Sequence, residues 1–142
     1  SVGSFLVLFL KQLPEFKNIN GVLLADLFDK ISPIDLNEGQ KLTFDAKEQG
    51  MPIIIVALGE INLKDDTTVI KTLKAGSVYG DIFQNGQAIP AKSIEATERS
   101  IVFKINVADF YFVMANHHEL VEGLIKNITS TQSKAKVLTS EL

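Results

Sequence analysis

The 142-residue sequence has no cysteine and no tryptophan. Without cysteine there is no disulfide, no thiolate metal site and no cysteine nucleophile. The absence fits a reducing compartment, and we expect a cytoplasmic setting, including the cytoplasmic portion of a larger membrane-attached protein. Histidine occurs only at 117 and 118. Neighbours on a helix point about a third of a turn apart, so this pair does not readily share a metal. A solvated helix start is the expected role. No Gly-x-Ser-x-Gly elbow accompanies the serines. The paired acids Asp65 and Asp66 have no third ligand nearby and read as a turn. The apolar run Phe5–Leu10 is far too short to span a bilayer. The net charge of −3 favours neither a nucleic acid nor an acidic membrane surface. The chain opens on Ser1, not Met. It is either a piece cut from a longer protein or a small protein carrying a tag remnant.

What is present suffices for one domain with a real core: 46% apolar and 22% charged residues. Val2 to Leu13 is apolar at nearly every position and reads as a buried helix or packing arm, stopped by Pro14. Within it, half of Phe5–Leu10 is expected in the core and half on a contact surface. Val22 to Ile31 has apolar residues at 23, 24, 27, 28 and 31, a helical spacing that Ser32-Pro33 should end. The pattern then changes to short strands: Ile34–Leu36, Lys41–Asp45, Ile53–Leu58, Glu60–Lys64, Thr67–Leu73, Ser93–Thr97 and Ser100–Ile105. Turns are expected at Asn37–Gln40, Ala46–Gly50 and Asp65-Asp66. Asn106 is a plausible N-cap for a helix Val107–Met114, and Asn116 for a second helix running to Ile128. Thr129 to Leu142 reads as a frayed helix end or a disordered tail. The order divides into a helical segment 1–33, a strand-rich segment 34–105 and C-terminal helices with a tail, 106–142. The fold class is mainly β with flanking helices, a double-stranded β-helix (jelly-roll) barrel.

The stretch Ala75–Ala96 interrupts the strands. Glycines permit unusual dihedrals and Pro90 removes a backbone donor. Such a run forms a short helical turn plus loop with exposed N–H groups, which can bind an anion.

Several segments together resemble the cyclic nucleotide-binding domain family, to which catabolite activator proteins and protein kinase A regulatory subunits belong. FLKQLPEFKNI is similar to the family's entry helix. Glu38-Gly39 with Phe44, and Gly50, fall where its strand-opening residues do. IIIVALGEINL resembles its first hairpin and LKAGSVYGDIF its glycine-acid run. ADFYFVMANHHELVEGLI resembles the helix pair that follows. The likeness covers nearly the whole chain and is ungapped from Gly39 to Gly80.

The resemblance implies that residues 76–93 hold the phosphate-binding cassette. There the family's glycine and short-helix N–H groups meet the cyclic phosphate, a Glu meets the ribose hydroxyl, and an Arg pairs with the phosphate bidentately. Gly80 matches, Asp81 stands for the Glu, and Ile82 follows. The Arg falls on Pro90 or, aligned on the family's proline, on Ala91. Lys92 is the nearest cation and Ser93 the next polar group. Phe83 and Gln84 replace a small-then-aliphatic pair. Losing one member of a buried charge pair costs roughly 2–5 kcal/mol, about 30- to several-thousand-fold in affinity.

The expected function is a non-enzymatic regulatory or interaction domain with lost or altered nucleotide binding. The alternatives are a working cyclic AMP or cyclic GMP sensor using Gly80, Asp81 and Lys92, and, ranked last, a cupin-type enzyme. No cofactor is expected beyond a cyclic nucleotide or other small anion. The implied partners are a fused upstream domain or membrane protein and a second copy held through the terminal helices, with no nucleic acid bound by this segment.

Overall fold

A computed structural model describes residues 2–47 and 50–140, with side chains from 6 to 47 and from 50 to 134. Glu48 and Gln49, in the expected loop Ala46–Gly50, lie outside the described residues, as do Glu141 and Leu142. The chain forms two compact units, one spanning Lys30–Phe110 and one built from the segments before and after it.

The described residues of the Lys30–Phe110 unit form eight strands: β1 (Ile31–Leu36), β2 (Lys41–Thr43), β3 (Ile53–Leu58), β4 (Glu60–Asp65), β5 (Thr68–Lys74), β6 (Val78–Tyr79), β7 (Ser93–Ala96) and β8 (Ser100–Ile105). They pair into two four-stranded antiparallel sheets, β1-β8-β3-β6 and β2-β7-β4-β5. Among the described residues no ladder joins the two sheets into a closed barrel. The inner faces of both supply one core. Leu36, Ile54, Val56 and Val102 come from the first sheet, and Ile61, Leu63, Leu73 and Ile94 from the second. β3 is buried at its first four positions, as its β-branched run predicts.

Two expectations change here. Pro33 does not end a helix; it sits inside β1, opposite Phe103. β1 is an edge strand, where a missing N–H breaks no ladder. Ile31 accordingly pairs with Ile105, and the preceding helix stops at Phe28. β6 has no counterpart in the sequence reading, because two residues carry no periodicity.

The described residues include four α-helices: α1 (Val2–Gln12), α2 (Gly21–Phe28), α3 (Val107–Asn116) and α4 (Val121–Ser140). Leu6 and Leu10 of α1 are buried, while Leu8 is exposed. Pro14–Phe16 forms a 3-10 turn after α1. Asn20 caps α2 by accepting from the Val22 N–H at 2.8 Å. Asn106 precedes α3 and its carbonyl accepts from Phe110, but its Oδ1 is buried with no partner among the described residues. α4 runs through the stretch expected to fray, since no Gly or Pro follows Gly123 to interrupt it. Asn116 ends α3 and caps nothing; a 3-10 turn, His118–Leu120, lies between α3 and α4. His117 Nε2 bonds the Asp26 carboxylate.

Gly59 has φ +84°, and a Cβ there would lie 2.3 Å from the Arg99 carbonyl oxygen and from Ser100 Oγ. Gly39 has φ +83° with nothing within 4 Å. Gly39→Ala should lose about 1–2 kcal/mol, the left-handed cost alone. Gly59→Ala adds overpacking of about 1–3 kcal/mol more. Urea denaturation of the pair separates the two. Burial pushes the Glu15 carboxyl above the usual carboxylate range, opposed in part by its own backbone N–H. A carboxyl raised on folding favours the native state below its unfolded pKa, and that contribution fades as pH rises through the folded value. Glu15→Gln should therefore melt higher than the parent at neutral pH, and the gap should close below about pH 4.

Candidate functional site

The residues marked by the sequence fall on a turn after β6 and on the approach to β7. Gly80 follows Tyr79 directly. A Cβ on Gly80 would lie 2.9 Å from Ile53 Cγ1, so glycine is needed for close approach to β3. The chain then winds through one tight turn: the Phe83 and Gln84 N–H groups donate to the Gly80 carbonyl at 2.9 and 3.1 Å. The Gly86 N–H donates to the Asp81 carbonyl at 2.8 Å. Asn85 and Gly86, with φ 57° and 75°, reverse the chain out of it.

The Gln84 side chain folds back over this turn. Its Oε1 accepts the Gly80 N–H at 2.7 Å, and its Nε2 donates to the Val78 carbonyl at 3.0 Å. The N–H groups of Gly80, Phe83 and Gln84 are thus all satisfied from within. Asp81 does the same lower down, with Oδ1 accepting the Ala88 N–H at 3.3 Å. Ile82 is half-buried. Tyr79 OH accepts from the Ile89 N–H at 2.9 Å and braces the far end of the loop.

Ala91 is buried in the core between the sheets. Lys92 lies elsewhere in character: its side chain is 65% exposed and its ammonium meets Asp65 Oδ1 at 3.2 Å and Asp66 Oδ2 at 3.4 Å. Those two carboxylates raise the Lys92 pKa, first through the hydrogen bond to Asp65. Ser93 is buried, opposite Thr43 and Lys64 in the ladder, and its Oγ has no partner among the described residues. Strand alternation puts it on the face opposite core residue Ile94. Among the described residues no hydrogen bond or ion pair joins Gly80, Asp81 or Ile82 to Lys92 or Ser93. A cavity of about 310 Å³ does lie beside Ala91 and Lys92, walled mainly by Phe44, Met51 and Ala46 with Thr43 and Asp45.

Three residues here escaped the sequence reading. Gln84 reads in the sequence only as a departure from an aliphatic pattern, although a carboxamide can both accept and donate across a turn. Phe83 packs edge-on against Phe110 in the first turn of α3, with ring centroids 5.9 Å apart. Lys71 lies on the inner face of β5, opposite Leu63, with its ammonium 5.5 Å from the centroid of the Tyr79 ring. Nothing in the local sequence distinguishes Lys71 from the other surface lysines of the hairpin. Among the described residues no three His, Asp or Glu groups converge to hold a metal, and no helix is long and apolar enough to cross a membrane.

No family model matches the sequence, and no curated protein matches it either. Solved structures do. The cAMP-bound PfPKA-R fragment aligns at TM-score 0.59 and 18% identity over 92% of this chain and 47% of its own. The chain thus spans about half of that fragment. The C-linker/CNBHD of zELK channels, crystallized in the presence of cAMP, gives 0.61 and 20% over 91% and 68%. A putative cyclic nucleotide binding protein from Ruegeria pomeroyi gives 0.69 and 15% over 95% and 62%. Despite identities this low, the two antiparallel sheets with flanking helices have the fold of the cyclic nucleotide-binding domains.

Proposed function

We propose that this chain is a non-enzymatic regulatory or interaction domain whose cassette no longer takes a cyclic nucleotide. The strand pairs β1–β8, β2–β7, β3–β6 and β4–β5 nest one inside another, which supports a rolled-up hairpin, the jelly roll. The observation that carries the functional reading is the Gln84 carboxamide on the Gly80 N–H. An anion at a helix start needs donors that are free to point at it, and here the donor is already used. The cation is missing too. Pro90 and Ala91, the two positions on which the family's Arg can fall, carry no charge, and Lys92 is paired with Asp65 and Asp66. Absence of cysteine supports placing the domain in a reducing compartment, on the cytoplasmic side of any membrane it serves. We place it there as one module of a larger assembly.

The sensor reading draws support from one observation, the exposed Lys71 with its ammonium over the Tyr79 ring. On that reading Lys71, not Lys92, would meet the phosphate.

Calorimetry with cyclic AMP and cyclic GMP separates the two. The parent chain should show no binding tighter than about 1 mM; micromolar binding that Lys71→Ala removes would establish the sensor instead. Restoring the missing parts should restore affinity. Gln84→Leu together with Ala91→Arg should gain at least about 30-fold over the parent, the low end for a buried charge pair. Gln84→Leu alone should gain little, because an open donor without a cation holds an anion weakly.

A further inference from the structure

Helix α3 and the start of α4 belong, from Tyr111 onward, to the second compact unit. An open groove of about 690 Å³ runs along them. Its walls are Tyr111 and Ala115 of α3 and Val121 and Ile125 of α4. Tyr111 and Ile125 are each 53% exposed, and Phe112 beside them is 60% exposed. α3 also buries Phe110 and Val113 away from the groove, and Met114 at its floor. A helix apolar around most of its circumference belongs to a fully covered setting, and contiguous exposed apolar surface marks an interaction site.

The rim identifies what covers it. Glu119 and Glu122 line the groove, and among the described residues the other ionisable groups there are His118 and the Tyr111 phenol. Glu122 has one solvent-exposed partner, Lys126 at 3.5 Å, a surface pair of little energetic weight. Glu119 makes no ion pair among the described residues. A second copy docking face to face would set these acids against their own kind, which disfavours self-association. An anionic lipid surface is repelled for the same reason. The occupant that satisfies both floor and rim is a helix with apolar side chains one turn apart, flanked by lysine or arginine.

We propose that this groove is the docking site for a basic amphipathic helix of a partner protein. The inference rests on the reading of the chain as an interaction domain and names the class of partner. Two synthetic helices test it by fluorescence anisotropy with the whole chain: one with leucine at helical spacing flanked by lysine, and one with glutamate in place of each lysine. The lysine helix should bind at least about tenfold tighter than the glutamate helix at ordinary salt. Ile125→Glu should weaken it about tenfold or more. Glu119→Lys with Glu122→Lys should reverse the preference, and both being exposed changes, the melting curves should stay near the parent's. Equal binding of both helices, binding of neither, or self-association in sedimentation that Ile125→Glu abolishes would overturn the proposal. Parallel titration with cyclic AMP keeps the outcomes apart: a silent groove with a silent cassette sinks the docking site alone, whereas nucleotide binding sinks the closed-cassette reading.

Discussion

A single carboxamide governs the middle of this molecule. Gln84 takes the Gly80 N–H and returns a proton to the Val78 carbonyl, so the turn after β6 is closed by its own side chain. The Gly80, Phe83 and Gln84 donors, which would otherwise require water or a ligand, are satisfied internally. The rest of the loop follows that economy: Asp81 ties to Ala88, and Tyr79 to Ile89.

The closed turn is also mechanically placed. Phe83, within it, packs on Phe110 in the first turn of α3. In the family this chain resembles, a ligand at the cassette shifts the helices that follow. Here an aromatic contact ties the turn to the first turn of α3. The proposed role therefore moves from sensing to presentation, with α3 and the start of α4 offering an apolar groove rimmed by acids.

Much of the fold was legible in the sequence. β3 and β8 were found at their observed bounds because β-branched and alternating runs have a period that survives in any context. Pro33 misled, since a proline ends a helix or marks an edge strand, and only the pairing with β8 tells which. The tail beyond Thr129 misled in the opposite sense: its polar composition suggested fraying, but with no breaker the helix simply continues.

The candidate site divides along the same line. Residue identity alone determined that no arginine stands at 90 or 91 and that no cysteine or strand histidine is available, because these are facts of composition and spacing. Tertiary structure alone decided where the remaining groups point. Lys92 turns to the tip of the β4–β5 hairpin, Lys71 places its ammonium over the Tyr79 ring, and Gln84 closes on Gly80. Each of these depends on which backbone group, charge or ring lies within contact distance after folding, a proximity that sequence separation does not encode.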